Sequence, residues 1–319
     1  MVNKIDAATA RSVEVRVPAS SSNLGAGFDC FGLALQLYLI VRATTLPGSN
    51  VKCRVRLRGG TDTTALPRNA ENLVYRSMAY AAQREGLGLP PVQLAINNEI
   101  PVSRGLGSSA AAIVSGIKLC ELLCDHKLSD DKVLRYATEF EGHADNVAAT
   151  LLGGFIVTCI SRKGKIIVVK RAWPDDIKVV VVAPASQIQT KLARSALPRV
   201  ISHVDGVFNL QRAVLFNAAL SEHRYDLLWE AMQDRLHQQK RKMLLPGLAA
   251  ALATPRMPGL LGIALSGAGP SVLALARDNF EAIGESIANC FRQQKIETTV
   301  SKLEIDTNGY QGRILRSRS

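Results

Sequence analysis

The chain has 319 residues, 47% of them hydrophobic and 21% charged, an ordinary soluble composition with enough length for two domains. Aromatic residues make up 5%, too few for a surface that stacks single-stranded nucleic acid. The formal charge of +12 suits an acidic small substrate, because the basic residues are scattered apart from a cluster at 238–242 and the ending "RILRSRS", which reads as a solvated tail.

Residues 1–10 read as a frayed terminus without a signal-peptide pattern, and no apolar run reaches the length of a membrane span, so the expected location is the cytoplasm. In "VEVRVPA" (13–19), Val13, Val15 and Val17 alternate with Glu14 and Arg16 and predict a strand. "SSSNLGAGFDCFG" (20–32) breaks that pattern with small residues, and apolar runs at 33–43 and 51–59 predict two more strands. Residues 70–88 read as an amphipathic helix stopped by glycines, and 91–102 as a strand. From Ser108 the pattern turns helical: 108–124, then 129–142 with Ser129 as cap and Asp130 and Asp131 in the first turn, then a short helix closed by Gly153 and Gly154. "FIVTCI" and "KIIVVK" predict a hairpin, and "IKVVVVAPA" (177–185) a buried strand. Helices are expected at 187–197, 202–221, 223–236 and 243–253. Strands flank a glycine turn at 260–276, and a helix at 279–294 precedes a strand at 297–305. The six cysteines form no C-x-x-C; Cys120 and Cys124, spaced i, i+4, have no further ligand pair nearby and read as free thiols.

Four stretches carry candidate chemistry. "IPVSRGLGSSAAA" (100–112) runs glycines into a helix start, where backbone N–H groups and the helix dipole favour an anion. Taken alone it fits equally a glycine turn capping a buried helix, and the Walker pattern with its lysine is absent. "EGHADNVA" (141–148) gathers Glu141, His143, Asp145 and Asn146 at a helix junction; Glu141 can offer Mg²⁺ a carboxylate, although a polar helix cap fits as well. "PASSSNLGAGFDCFGLAL" (18–35) presents Asn23 and Asp29 on a glycine-rich turn, and such an aspartate can accept from a substrate ammonium. "LSGAGPSV" (265–272) is a glycine turn between apolar strands.

Their order and spacing resemble the GHMP kinases, from about residue 13 to 310. "IPVSRGLGSSAAA" is similar to that family's phosphate loop and "LSGAGPSV" to its C-terminal glycine motif. Within the family, "VPASSSNLGAGFDCFGLAL", "EGHADNVA", "TKLARSALP" (190–198) and "DRLHQQKRKMLLPG" (234–247) are similar to segments of the homoserine kinase branch. The resemblance implies an α+β fold in two parts: a ribosomal-protein-like β-α part at 1–165, and a ferredoxin-like α/β sandwich at 166–319. The ATP cleft would lie between them. The implied reaction is ATP-dependent phosphorylation of the side-chain hydroxyl of L-homoserine to O-phospho-L-homoserine, in threonine biosynthesis.

The resemblance also implies roles. The ATP phosphates would lie over Pro101, Val102, Ser103, Arg104, Gly105, Leu106, Gly107, Ser108, Ser109 and Ala110, with Asn72 near the adenine and Gly267 opposite. Ser109 and Glu141 would hold Mg²⁺. Asn23 and Asp29 would meet the amino acid, with Asp29 on its ammonium; His143 and Asn146 would lie on its hydroxyl side, and Arg194 and Arg241 would take its carboxylate through their bidentate forks. Asp145 is the nearest candidate for a base, although the homoserine kinase branch is often described as working without one, with Asn146 where relatives have an aspartate, and phosphoryl transfer needs mainly positioning and charge neutralisation. Ala144, Ala149, Gln239 and Lys240 depart from the family pattern, and "NNEIP" lacks a lysine often found before the phosphate loop. Many family members are homodimers, so the resemblance implies that state. The rivals are a family member acting on mevalonate, another isoprenoid precursor or threonine, and, from another class, a nucleic-acid-binding protein. Two arginines with one aspartate favour a zwitterion over mevalonate; scattered charge and few aromatics disfavour nucleic acid, and neither nucleic acid nor a membrane is an expected partner.

Overall fold

The computed structural model describes residues 11–59 and 66–315; the expected frayed terminus at 1–10 lies outside them. Strand β1 (Ser12–Asn23) continues straight through the serine run, which the small residues had suggested was a break. It pairs antiparallel with the 19-residue β2 (Gly27–Thr45), so the turn shrinks to 24–26. Ser20, Ser21 and Ser22 are buried there because each hydroxyl meets a partner from another part of the chain. Register shifts at Pro18/Ala19 and Ser22/Asn23 bend the ladder where proline lacks a donor and the turn begins.

Strand β3 (Cys53–Leu57) runs parallel to β4 (Val92–Asn98), joined by α1 (Leu73–Glu85), the helical crossover that parallel strands require. Helices α2 (Ser108–Cys124), α3 (Asp130–Glu141) and α4 (Asp145–Leu152) follow, then the hairpin β5 (Phe155–Ile160) and β6 (Ile166–Arg171). The early half of β2 pairs with β5 and its later half with β4, so one long strand carries both wings of a seven-stranded sheet. Its seventh strand comes from the far end of the chain. β11 (Gln311–Leu315) pairs with β1, and Arg313 binds Glu14, which also pairs with Arg42. The start of "RILRSRS" is therefore an edge strand rather than a solvated tail; residues 316–319 lie outside the described part.

The second sheet is built from β7 (Lys178–Pro184), β8 (Leu260–Leu265), β9 (Val272–Ala276) and β10 (Thr298–Leu303), in the order β10-β7-β9-β8. With helical chain after β7 and α10 (Phe280–Arg292) after β9, this is the β-α-β-β-α-β connection of a ferredoxin-like sandwich. The unbroken valines of β7 are explained by burial on both faces. Val179 and Val181 join the core shared with Phe31, Phe155 and Phe216, while Val180 and Val182 pack under Ile283 and Ile287 of α10. Chain from both sides of residue 165 builds the first sheet, since β6 and β11 belong to it.

Between β7 and β8 the expected long helices are mostly short: α5 (Thr190–Ser195), α6 (His203–Ser221), a 3₁₀ turn at Tyr225–Leu227, α7 (Leu228–Ala231), α8 (Gln238–Arg241) and α9 (Leu248–Leu252). The helix expected at 223–236 ends at Ala231 because the following chain docks on the 24–26 turn: a Cβ on Gly25 would fall 2.1 Å from the Met232 carbonyl oxygen. Among the described residues no helix is long and apolar enough to cross a membrane.

Candidate active site

The chain leaves β4 through Asn98, whose amide donates to the Ile100 carbonyl and accepts from the Ile100 N–H at 2.9 and 3.1 Å, fixing the approach to the glycine loop. Ser103, Gly105 and Gly107 have φ of 55, 78 and 69°, and a Cβ would fall 2.1 Å from the Ser266 carbonyl at Gly105 and 2.1 Å from the Ser20 hydroxyl at Gly107. Distant segments close on this loop. Leu106 accepts from the Ser20 N–H at 3.1 Å, Arg104 accepts from the Ser271 N–H at 3.3 Å, and Gly105 accepts from the Ser266 hydroxyl at 2.7 Å. The Arg104 guanidinium donates to the Ala185 carbonyl at 2.7 Å. Helix α2 then starts from Gly107 with no side-chain cap, whereas Asn72, Ser129 and Ser202 cap α1, α3 and α6. Its first-turn N–H groups and the positive end of its dipole are thus left for an anion. Ala110 and Ala111 are fully buried beneath, where their small side chains let the helix sit close to β1.

The junction of α3 and α4 faces that helix start. Glu141, the last residue of α3, accepts from the Ser109 hydroxyl at 2.6 Å, and Gly142 turns the chain with φ 89°. Asp145 is 1% exposed; one carboxylate oxygen accepts from His143 Nδ1 at 2.5 Å and from the Asn146 N–H at 2.6 Å, while Oδ2 is buried with no hydrogen-bond partner among the described residues. Burial raises the Asp145 pKa, but the bond to His143 and its charge outweigh this and hold it below the ordinary value. Burial lowers the His143 pKa, and Asp145, helped by Glu141, overcomes that and raises it. A carboxylate can only accept, so Nδ1 carries the hydrogen and Nε2 lies 3.9 Å from Glu141 Oε1. The Asn146 amide accepts from the Ser20 hydroxyl at 2.9 Å and donates to Ser22 at 2.8 Å, tying α4 to β1.

At the other end the 24–26 turn presents Asn23 and Asp29, both at positive φ. Asn23 donates to the Gly267 carbonyl at 2.9 Å and accepts from the Asp29 N–H at 3.0 Å, so it joins the two glycine turns. Asp29 forms a bidentate pair with Arg194 at the end of α5, at 2.7 and 3.1 Å, with each side chain about one-third exposed. Arg241 of α8 is 2% exposed and donates to Ala193 and Gly267 carbonyls at 3.2 and 3.1 Å and to His237 Nδ1 at 3.2 Å. Burial, with Arg194 nearby, lowers its pKa to about 10, which leaves it charged at neutral pH. Among the described residues no protein atom accepts from its Nη2. Both guanidinium groups approach the Phe28 ring, with Arg194 5.9 Å and Arg241 5.4 Å from its centroid.

These groups line one cleft of about 310 Å³. It brings together Asn23, Asp29, Asn72, the loop from Val102 to Ser109, Glu141, His143, Asp145, Asn146, Arg194, Arg241 and Gly267. Pro101 and Ala110 do not line it. Asn72 sits at its wall, but its amide already donates to the Pro67 carbonyl at 2.8 Å and accepts from the Val74 N–H at 3.1 Å. Sequence reasoning did not single out the apolar end formed by Leu39, Pro67, Val74 and Ile96, or Ser22 and Asn98. An asparagine two residues before an isoleucine–proline step was the one readable signal for Asn98; the others are ordinary strand and helix residues until the fold joins them. The arrangement can seat an anion on a helix start, offer two hard oxygens to a divalent cation and meet a zwitterion with charges of both signs.

The sequence model of the GHMP kinases N terminal domain matches residues 72–154. A homoserine kinase of Persephonella marina is 40% identical over 297 residues, covering 93% of this chain and 97% of that protein. One from Deinococcus radiodurans is 44% identical over 264 residues, covering 83% of this chain and 84% of its own. The crystal structure of homoserine kinase from Cytophaga hutchinsonii superimposes with a TM-score of 0.83 at 28% identity, covering 95% of this chain and 97% of that one. The α+β architecture is that of the two-part GHMP kinase fold, and the chain belongs to the homoserine kinase family.

Proposed function

We propose that this chain transfers the γ-phosphoryl group of ATP to the side-chain hydroxyl of L-homoserine, releasing ADP and O-phospho-L-homoserine, a step toward threonine. The observation that carries the proposal is the opposed chemistry of one cleft: an uncapped helix start beside a hydroxyl–carboxylate pair at one end, and an aspartate with two arginines at the other. The triphosphate lies along 102–109, held by backbone amides of the loop and the first turn of α2, with Ser108 donating and Gly267 opposite. Leu39, Pro67, Val74 and Ile96 offer the base an apolar wall, with Asn72 capping the helix beside it. The two parts meeting at this cleft are, in the same proposal, the units 1–165 and 166–319, the second lending β6 and β11 to the first sheet.

The Ser109 hydroxyl and Glu141 carboxylate, 2.6 Å apart, are the oxygen donors that Mg²⁺ prefers. Among the described residues no group of three or more His, Cys, Asp or Glu side chains could cage a metal by itself, which fits an ion shared with the nucleotide phosphates. Mg²⁺ held there supplies charge neutralisation for the transferring phosphoryl group.

The amino acid enters where Asp29 and Arg194 bind each other. Its ammonium replaces Arg194 on Asp29, its carboxylate replaces Asp29 on Arg194, and Arg241 adds the free Nη2 donors. Asn23 holds the turn that carries Asp29. His143 and Asn146 face the substrate hydroxyl, with Asp145 fixing the imidazole. That oxygen forms its bond to the γ-phosphorus as the bond to the β-γ bridging oxygen breaks. The transition state is loose, so the hydroxyl proton leaves late, passing to an oxygen of the transferred phosphoryl group and then to solvent, and Asp145 need not act as a strong base. A carboxylate substrate without an ammonium leaves Asp29 uncompensated, which disfavours mevalonate. A cytoplasmic location and a homodimeric state belong to the same proposal and rest on the family likeness alone. The test is ADP release, by a coupled assay with Mg²⁺, across homoserine, threonine, serine and mevalonate. Homoserine is expected to give the highest kcat/KM; fastest turnover of mevalonate or threonine overturns the assignment.

A further inference from the structure

The segment after α7 contributes more than Arg241. Asp234, 4% exposed, accepts from the N–H groups of His237 and Gln238 at 3.0 and 2.7 Å, and from the Asn209 amide of α6 at 2.7 Å. It thereby nucleates the single turn of α8 and fixes it against α6. His237 is fully buried on that turn, with Asp234 Oδ1 3.7 Å from its Nε2, and has two hydrogen-bond partners of opposite demand. The Gly25 carbonyl, 2.9 Å from Nε2, can only accept; the Arg241 guanidinium, 3.2 Å from Nδ1, can only donate. The two contacts therefore require one state: a neutral imidazole with its hydrogen on Nε2. Burial and the Arg241 charge also push its pKa down, in keeping with that state. The ring stacks on Phe28 with centroids 5.2 Å apart.

Gly25 belongs to the turn that presents Asn23 and Asp29. One imidazole thus links that turn to Arg241, the two halves of the proposed amino-acid site, and its side-chain hydrogen bonds go to those two alone among the described residues. We propose that His237, anchored by Asp234, is a positioning residue for the amino-acid substrate: its Nδ1 lone pair orients the Arg241 guanidinium so that Nη2 faces the cleft. The inference rests on the homoserine reading of the cleft. An arginine has several rotatable bonds and side-chain entropy to lose, so a fixed acceptor lowers the cost of ordering it at binding.

Asparagine and glutamine separate the two bonds by reach. In His237→Asn the side-chain oxygen would stand near the former Nδ1 position and accept from Arg241. In His237→Gln the amide nitrogen would stand near the former Nε2 position and donate to Gly25. The experiment measures KM for homoserine, KM for ATP and kcat for the full chain carrying His237→Ala, His237→Asn and His237→Gln, with thermal melts alongside. The expected result is a homoserine KM raised at least about tenfold in the alanine and glutamine variants, and held within about threefold of wild type in the asparagine variant. ATP KM stays within about twofold throughout, the pattern of lost ground-state binding of one substrate. If the alanine variant fails to fold, the contrast between asparagine and glutamine still decides. An unchanged homoserine KM in the glutamine variant, parallel rises in both KM values, or an asparagine variant no better than glutamine overturns the relay. Failure of wild-type enzyme to phosphorylate homoserine would instead overturn the reading on which it rests.

Discussion

At the proposed phosphate end of the cleft the chain offers mainly backbone, and at the proposed amino-acid end it offers side chains. The loop from Val102 to Gly107 and the first turn of α2 present N–H groups, and the loop's companions Ser20, Ser266 and Ser271 are small residues that let the segments close on one another. Asp29, Arg194 and the α8 turn that carries both His237 and Arg241 come from three separate stretches and arrive already engaged with protein partners. The contrast follows from the ligands. A triphosphate carries enough charge to bind dipoles that cost no reorganisation. A zwitterion carries one charge of each sign, and the protein groups complementary to it are complementary to each other. Asp29 and Arg194 pair with each other in the structure, and in the proposed reading selectivity arises because only a molecule with both charges compensates both partners.

The largest expected effect tests the phosphate end. Glu141→Ala should lower kcat by roughly 10²–10³-fold, the scale for removing a group that stabilises transition-state charge. Thermal melts should change little, since the recorded hydrogen bond of Glu141 is to Ser109. A kcat within about threefold of wild type at saturating Mg²⁺ would remove Glu141 from the phosphate machinery.

A smaller effect distinguishes the ends. Asp29→Asn and Arg194→Gln should each raise homoserine KM by roughly 10–100-fold while ATP KM holds, about 1.4–2.7 kcal/mol of lost binding. The double variant should lose less than the sum, because each single change leaves a charge with no partner. Strict additivity would show that the pair acts as two independent contacts.

The smallest effect lies outside both ends. Glu85, at the close of α1, accepts from Tyr136 at 2.5 Å, Lys132 at 2.9 Å and His126 at 2.9 Å, and the Tyr136 bond, then Lys132, hold its pKa down at about 2 from an ordinary 4.5. A carboxylate with a depressed folded pKa adds stability that is complete above 4.5 and is lost as the pH falls through about 2. Glu85→Gln should therefore lower Tm at neutral pH, by roughly 2–4 °C for each kcal/mol lost, with both KM values unchanged. The gap in Tm should narrow from pH 4.5 toward 2, and a gap that stays constant would show that the carboxylate charge is not its source.

The two ends also differ in how far the sequence disclosed them. Residues 101–110 and 141–146 are contiguous, and glycine before a helix start or polar residues at a helix junction have meaning on local grounds. Ser20, Ser21 and Ser22 read as a loop because serine favours turns; they are strand because Asn146 and Ser266, far along the chain, satisfy their hydroxyls. The 223–236 segment carries helical composition, but docking of Met232 against Gly25 and capping by Asp234 impose short turns instead. Arg313 reads as part of a charged tail until Glu14, nearly three hundred residues earlier, provides its partner.

Sequence by itself determined the alternation that makes the strands, the glycines that permit the phosphate loop and the order of motifs that resembles the family. These are properties of neighbouring residues, set by backbone sterics and hydrophobic period. Only the tertiary structure decided that Asp29 closes on Arg194, that His237 must be neutral with its hydrogen on Nε2, and that β11 completes the first sheet. Each depends on a donor meeting an acceptor across a long span of chain, and such pairing is fixed by packing geometry, which local spacing does not encode.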